Sequence, residues 1–195
     1  NLEYNYASDK DYFADLNNNP NSKTDLNLRR AWELNYRNGI PGLKAQLKVE
    51  DFQTLDQSIA YENRPYARLP QFLLNYKTGN PQGFQVEFNN DTAYFKKDIG
   101  ALDVAEPSGT RIYNDFAVRY NYRNPWSFVI PEVSLRNINT FYDKETLSTD
   151  TYTSKSESVT VPQFTLDTGI TFEKDGRFLQ TITPRAFYAY APYRN

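Results

Sequence analysis

The segment Leu43-Lys44-Ala45-Gln46-Leu47-Lys48-Val49-Glu50 alternates strictly between apolar and polar side chains. Residues i and i+2 point to the same face of a β-strand, so its four apolar side chains share one face. A helix would bring Leu43 and Leu47 together but scatter the other two. The segment therefore predicts a β-strand with one apolar and one polar face.

The same alternation continues on both sides of this segment. Apolar side chains fall at alternate positions in eight further segments: Leu2–Tyr6, Leu26–Tyr36, Phe72–Tyr76, Phe84–Phe88, Ile112–Tyr122, Val129–Leu135, Phe164–Phe172 and Ile182–Tyr190. Short connections rich in turn residues join these segments at Asn38–Gly42, Thr78–Gly83, Asn124–Ser127 and Lys174–Arg177. Long polar connections lie between them, at roughly Ala7–Thr24, Gln53–Ala67, Lys96–Thr110 and Asp143–Glu157. We predict an all-β antiparallel up-and-down meander of about nine strands, with residues 1–195 as a single domain.

The composition excludes several classes of function. The 195 residues include no Cys and no His, which removes disulfides, thiol catalysis, Cys-ligated metal sites and the usual general base. The net charge is -2 with interspersed signs, so no field favours nucleic acid. Mean hydropathy is -0.76, and the chain has no run of about 18 apolar residues that would predict a transmembrane helix. We expect no enzyme activity and no cofactor, and a chain that is mature or a fragment, since Asn1 opens no secretory signal.

Two architectures fit two-faced antiparallel strands. A soluble sandwich buries its apolar face, whereas a transmembrane barrel turns that face to lipid and its polar face to a wet lumen. Strands of about 11–14 residues, tilted near 45°, match the hydrocarbon thickness, and alternating short and long connections are typical of outer-membrane barrels. Aromatic residues near the strand ends suit membrane interfaces. They are Tyr4, Tyr6, Tyr36, Tyr76, Tyr120, Tyr122, Trp126, Tyr188, Tyr190 and Tyr193. These features favour a partial transmembrane β-barrel.

The C-terminal segment carries a specific resemblance. Thr181-Ile182-Thr183-Pro184-Arg185-Ala186-Phe187-Tyr188-Ala189-Tyr190-Ala191-Pro192-Tyr193-Arg194-Asn195 resembles the form TLxPRxxYxYxPYRxQ of the LPS-assembly protein LptD family, also called the organic solvent tolerance protein family. Weaker matches keep the family's order. Ser8–Leu16 is similar to SDxxYFxDF, Arg64–Gln71 to a Y-x-x-x-P-Q strand entry, and Val161–Phe164 with Phe172–Asp175 to an MPQF…FERD hairpin. Together the matches span nearly the whole chain.

The resemblance implies an internal part of a larger barrel, from its N-terminal half, in the Gram-negative outer membrane. The family's barrel surrounds a lipoprotein plug, LptE, receives lipopolysaccharide from a periplasmic bridge and places it in the outer leaflet. The implied partners are lipopolysaccharide, LptE, outer-membrane lipid and, through a periplasmic domain absent from this chain, the bridge. The family's disulfide-forming cysteines are also absent here. Two alternatives stay open: another outer-membrane channel or receptor barrel, such as a porin, and a soluble carbohydrate-binding β-sandwich.

Basic side chains on the predicted polar face are the main functional candidates. If the apolar face meets lipid, eight of them line the lumen: Arg29, Arg37, Lys44, Lys48, Arg119, Arg123, Arg136 and Arg185. Lys and Arg suit phosphate groups, which lipid A carries, and Arg can bind them bidentately. The alternative is pairing with carboxylates across strands, at Glu33, Glu50, Glu87, Glu132 and Asp167. On this assignment Val49→Arg, on the lipid face, should lower the free energy of unfolding by about 2–4 kcal/mol at mid-membrane and much less near an interface. Lys48→Ala should hardly change the stability of the fold.

Four segments of the form x-Pro-polar-apolar put proline inside predicted strands, at Pro70, Pro131, Pro162 and Pro184. Because proline removes a ladder hydrogen bond, each is expected either to mark a strand entry or bulge or to weaken strand pairing.

Other candidate chemistry is weaker. Asp9, Asp11 and Asp15 suit either a cation site or an ordinary acidic loop, and we predict no metal site. Ser154-Lys155-Ser156 reads as a solvated loop tip. The neighbouring carboxylates Glu50 and Asp51 point to opposite faces of a strand, which argues against a shared acid–base site.

Overall fold

The computed structural model describes residues 1–9, 27–56, 59–60, 63–97, 108–143 and 156–193. The regular structure in this part of the chain is all β-strand apart from short 3-10 turns such as Pro81–Gly83. The strands are β1 (Leu2–Tyr4), β2 (Asn27–Arg37), β3 (Leu43–Thr54), β4 (Ala67–Lys77), β5 (Phe84–Lys96), β6 (Gly109–Tyr120), β7 (Tyr122–Asn124), β8 (Ser127–Tyr142), β9 (Ser156–Ile170), β10 (Phe172–Lys174), β11 (Gln180–Ile182) and β12 (Arg185–Tyr190). No helix in these residues is long and apolar enough to cross a membrane.

The strands form one sheet in chain order. The order is β1-β2-β3-β4-β5-β6-β8-β9-β12, and every pair of neighbours is antiparallel. Strand β7 pairs with β8 just beyond the end of β6, and β10 pairs with β11 as a separate two-stranded hairpin. The prediction of an antiparallel meander of about nine strands is confirmed. The first strand is shorter than predicted, since it ends at Tyr4 and excludes Tyr6.

The described sheet is a single layer without a hydrophobic core. In the described part of the chain no large side chain is fully buried, and the buried apolar residues include four alanines. A soluble sandwich would need a second sheet against the apolar side chains. The described strands supply only the small β10–β11 hairpin besides the main sheet.

The four predicted strand prolines take different places in the ladder. Pro70 falls within a register shift between Arg68 and Gln71. Pro131 lies opposite the gap between β6 and β7, and Pro162 lies beyond the last β9–β12 pair. Pro184 stands between β11 and β12. Pro70 therefore lies at a bulge and Pro184 at a strand entry, whereas Pro131 and Pro162 lie inside β8 and β9, whose mutual register has no shift.

Gly42 closes the short turn between β2 and β3 against the end of β4. Its φ is 78°, in the left-handed region that favours glycine. The Lys77 backbone N–H donates to its carbonyl oxygen at 2.9 Å, and a Cβ added at Gly42 would lie 1.9 Å from the Lys77 carbonyl oxygen. The close approach of two strand ends therefore requires glycine here.

We expect Gly42→Ala to lower the free energy of unfolding by about 1–3 kcal/mol, because it combines left-handed strain with a backbone clash. Gly79→Ala is the matched control, since a Cβ there meets nothing within 4 Å. Urea unfolding followed by tryptophan fluorescence measures both. Equal effects of the two substitutions would contradict this account of the turn.

Candidate functional site: the two faces of the sheet

The register of the sheet sorts the side chains onto two faces. Directly opposite residues on neighbouring strands share a face, as in the row Arg37, Lys44 and Asn75. Followed across the sheet, the register brings all eight predicted basic residues to one face: Arg29, Arg37, Lys44, Lys48, Arg119, Arg123, Arg136 and Arg185. We call this side the polar face and the other side the apolar face.

Burial is reversed relative to a soluble protein. On the polar face Glu50, Gln71 and Ser134 are only 6%, 5% and 4% exposed. On the apolar face Leu34 and Val133 are 57% and 59% exposed. Charged and polar side chains are normally the exposed ones. The sheet therefore crowds its polar side chains together and leaves its apolar side chains without cover.

Glu50 is the centre of an ion-pair network on the polar face. Its carboxylate accepts hydrogen bonds from Arg29 Nε at 2.6 Å and pairs with Lys48 Nζ at 2.8 Å and Arg68 Nη1 at 3.6 Å. Arg29 also pairs with Glu3 and, at 3.2 Å, with Glu33. The network joins β1, β2, β3 and β4, and it compensates a carboxylate that is almost fully buried.

Three more of the predicted basic residues pair across strands. Arg185 donates from Nε and Nη2 to the two carboxylate oxygens of Asp167, both at 2.6 Å. Arg119 Nε donates to Glu132 at 2.6 Å. Arg136 lies 3.6 Å from Asp115, a partner that the sequence reasoning did not name. These residues and Arg29 pair with carboxylates across strands, as in the alternative stated from sequence, whereas Lys48 pairs with Glu50 within β3.

Three predicted basic residues have no ion pair in the described part of the chain: Arg37, Lys44 and Arg123. The Arg123 guanidinium lies over the Phe128 ring, 5.0 Å from its centroid. Arg37 and Lys44 are exposed and directly opposite each other at the end of the β2–β3 ladder.

An aromatic rim borders the apolar face at the short-turn end of the sheet. It consists of Tyr36, Tyr76, Phe84, Tyr120, Tyr122 and Trp126. The Phe84 and Tyr120 rings lie 4.6 Å apart between centroids. Tyr190, the last residue of β12, and Tyr188 also lie near a strand end, and they pair with Phe164 and Leu166 in the β9–β12 ladder.

The apolar face stops at a row of polar side chains that sequence reasoning missed. Asn90, Asn114, Asn137 and Thr160 are opposite one another across β5, β6, β8 and β9, and we call them the boundary row. Asn90 Nδ2 donates to Asn114 Oδ1, and Asn137 Nδ2 to Thr160 Oγ1, both at 2.8 Å. Beyond the row, towards the long connections, the apolar face carries further polar residues such as Thr92 and Asn139.

At the same end of the sheet the polar face changes in the opposite way, from polar to apolar side chains. Beyond the boundary row it carries Phe95, Ile138 and Tyr142, which line a cavity of about 470 Å³ with Tyr66. The Tyr66 and Phe95 rings meet edge to face at 6.4 Å. The sequence carries a signal of this reversal: within one strand the apolar residues change from odd-numbered to even-numbered positions. In β9 Val159 and Val161 share one parity, and the apolar positions after Pro162 take the other.

Asp143, just after β8, ties this end of the sheet together. Its carboxylate accepts hydrogen bonds from the Ser108 and Tyr94 hydroxyls, both at 2.7 Å. The Ser108 bond, then the Tyr94 bond, hold the pKa of Asp143 below its usual value, and the charge of Lys96 adds to the effect.

The remaining predicted sites gain no support. Asp11, Asp15, Ser154 and Lys155 lie outside the described residues, and Asp9 stands in an exposed bend. No group of three or more acidic side chains among the described residues is arranged to hold a metal ion.

A single antiparallel layer with a buried polar face and an exposed apolar face has the organisation of a β-barrel wall. Comparison with known proteins agrees. The sequence model of the family described as LptD, LPS transport system D, matches residues 1–195. The chain belongs to the LptD family.

Relatives of the chain carry the same name. It is 71% and 69% identical to the LPS-assembly proteins LptD of Acinetobacter baumannii and Acinetobacter baylyi, over 100% of this chain and 24% of each relative. It is 37% identical to the LPS-assembly protein LptD of Psychrobacter cryohalolentis, over 99% of this chain and 21% of that relative. The chain thus spans about a quarter of the length of the curated relatives it matches.

The structure changes one expectation for folding. Lys48→Ala, expected from sequence to be nearly silent, removes a cation 2.8 Å from the buried Glu50 carboxylate. Glu50→Gln is the stronger test, and we expect it to lower the free energy of unfolding by about 1.5–3 kcal/mol because it uncouples Arg29 and Lys48. The control Glu87→Gln breaks a more exposed pair with Lys77 and should cost less than about 1 kcal/mol. Urea unfolding compares the two, and equal effects would contradict the central place of Glu50.

The depressed pKa of Asp143 predicts a pH dependence. A carboxyl group whose pKa is lowered on folding stabilises the folded protein at pH values above its pKa in the unfolded chain, about 4. This stabilisation is lost as the pH falls through the pKa of the folded state. The difference in the free energy of unfolding between the parent protein and Asp143→Asn should therefore be constant between about pH 5 and pH 7. It should shrink towards zero in stronger acid. Asp175→Asn, in the exposed turn between β10 and β11, is the control. A difference that grew in acid would show that the Ser108 and Tyr94 hydroxyls do not stabilise the ionised carboxyl.

Proposed function

We propose that residues 1–195 form one part of the wall of an outer-membrane β-barrel that passes lipopolysaccharide to the outer leaflet of a Gram-negative cell. The observation that supports this most directly is the reversed burial of the two faces. An exposed apolar face of this extent is unfavourable in water but stable against lipid. The LPS-assembly name of the relatives supplies the substrate class.

The aromatic rim and the boundary row fit the two edges of a membrane. Trp126, in the turn just before β8, and Asn137, on β8, stand at these edges. They are about 11 residues apart, or about 36 Å along an extended chain. With a tilt near 45° this becomes about 26 Å, close to the apolar band of outer-membrane barrels. The strands continue past Asn137 to Tyr142, so they extend beyond the hydrocarbon on the long-connection side.

Orientation follows from the connections. Outer-membrane barrels have short periplasmic turns and long outer loops. The short turns beside the aromatic rim then face the periplasm, and the boundary row lies at the outer leaflet. The reversed polarity beyond that row fits strands whose outer surface is again in water.

The polar face then lines a hydrated conduit. Its ion pairs keep charged side chains satisfied along a wall that a phosphorylated, sugar-bearing lipid headgroup can pass. In this role the chain binds and guides and makes or breaks no bond. The lipoprotein plug and the periplasmic bridge, implied by the family resemblance, are partners of the whole protein in this proposal.

A pair of substitutions tests the membrane position. Val133→Arg, on the apolar face between the rim and the boundary row, should destabilise the full-length protein in lipid by about 2–4 kcal/mol, because the charge enters hydrocarbon. Phe141→Arg, on the same strand and face but beyond the row, should cost at most about 1 kcal/mol. Val133 and Phe141 are 59% and 47% exposed, so crowding does not separate them. Equal costs in bilayers would contradict the proposed boundary.

Transport needs its own measurement. Newly made lipopolysaccharide should fail to reach the cell surface when the full-length protein is depleted, and return when it is restored. A surface-labelling assay follows it, with an unrelated outer-membrane protein as the control for general envelope damage. Unchanged surface delivery after depletion would contradict lipopolysaccharide as the transported molecule, without contradicting the membrane position of the sheet.

A further inference from the structure

Two basic residues of the polar face meet without a counter-charge. Arg37 and Lys44 are directly opposite each other beside the turn between β2 and β3. Like charges in this position destabilise a strand pair. In the described residues no carboxylate forms an ion pair with either. The fold therefore gains nothing from this charge pair.

Other cations nearby on the polar face do have a carboxylate partner. On the same face and at the same end of the sheet, Lys77 Nζ lies 3.2 Å from Glu87, and Arg119 is bonded to Glu132. These two cations are thus matched by a carboxylate on a neighbouring strand, whereas the Arg123 guanidinium at the same end lies over the Phe128 ring. Arg37 and Lys44 have neither kind of partner among the described residues and lie directly opposite each other.

A hollow of about 370 Å³ adjoins this pair on the polar face. Its volume is in the range of small-ligand sites. Four amide side chains line it: Asn35, Gln46, Asn75 and Asn89. Gln46 Nε2 donates to Asn35 Oδ1 at 2.9 Å, and Asn75 donates to Asn89. Each amide has both donors and acceptors, which suits hydroxyl groups.

Two residues with apolar bodies complete the hollow. Leu73 and Tyr113 lie on either side of Asp91 in the register, and all three line the cavity. Leu73 breaks the alternation of β4, which otherwise puts polar residues on this face. Sugar rings have an apolar C–H surface and a hydroxyl edge, and an aliphatic and an aromatic side chain among amides match both.

From these contacts we propose that the hollow beside Arg37 and Lys44 binds an anionic saccharide. The two cations hold its phosphate or carboxylate group, the amides its hydroxyls, and Leu73 and Tyr113 its ring. The inference rests on the proposed function, in which the sugar part of lipopolysaccharide passes this face. It adds a named binding position on the polar face, beside the turn between β2 and β3.

The test uses the purified full-length protein and lipopolysaccharide freed of its acyl chains, a soluble saccharide that forms no micelles. Binding is measured by calorimetry with the saccharide before and after phosphatase treatment. The Arg37→Gln/Lys44→Gln double variant should bind the untreated saccharide at least about tenfold more weakly, since each cation supplies a charge-assisted bond. The control Lys77→Gln should change affinity less than about twofold, because Lys77 is already paired.

The outcomes separate the two sources of charge. Loss of affinity after phosphatase, together with loss in the double variant, assigns the phosphate. Loss in the double variant alone assigns a sugar carboxylate, and either result supports an anion site. Unchanged affinity in the double variant overturns the proposal. Misfolding is controlled by urea unfolding, where the double variant should be no less stable than the parent because a repulsive pair is removed.

This failure is distinct from failure of the proposed function. Surface delivery of lipopolysaccharide that depends on the protein, combined with unchanged saccharide binding in the double variant, overturns the site and leaves the translocon. Delivery that does not depend on the protein overturns the translocon, whereas the binding comparison still decides whether Arg37 and Lys44 form an anion site.

Discussion

The structure depends on a continuous ladder of backbone hydrogen bonds within a single layer. In hydrocarbon no water can bond to an unpaired N–H or C=O group, so each strand must be paired by its neighbours. The chain meets this requirement with antiparallel strands in sequence order, and each main strand from β2 to β9 is paired on both sides. Its irregularities coincide with proline, at the β4 bulge and at the breaks around β7 and β11. Once the ladder satisfies the backbone, side chains are free to sort by face.

That sorting produces two surfaces with different demands. The apolar face needs only a matching solvent, and its exposed Leu34 and Val133 would be adverse in water but suit lipid. The polar face is crowded, so its buried charges need partners. Glu50 meets this need through Arg29 on the neighbouring strand β2 and Lys48 on its own strand β3. Arg37 and Lys44 face each other without such a partner in the described residues, and a passing anion is the complement that we propose for them.

The strands also pass through more than one environment along their length. From the aromatic rim to the boundary row, one face is apolar and the other polar. Past Asn137 the pattern reverses, and Phe95 and Ile138 lie on the polar face. In the proposed barrel, a uniform alternation would fit a wall that ends with the membrane. The reversal fits a wall that continues into water, as strands as long as the 16 residues of β8 would do.

The sequence by itself determined the strands and their two faces, because a period of two is local: Val49 and Lys48 must point opposite ways in any β-strand. It also determined about nine strands, their meander order and the common face of eight basic residues. Only the tertiary structure decided which charges meet. Arg136 pairs with Asp115, Arg29 pairs with the buried Glu50, and Arg37 faces Lys44, all through register between strands. The boundary row was equally hidden, since Asn90, Asn114, Asn137 and Thr160 are distant in the chain and become one line only when four strands align. Register depends on turn lengths, bulges and the pairing of whole strands, so no single segment contains it.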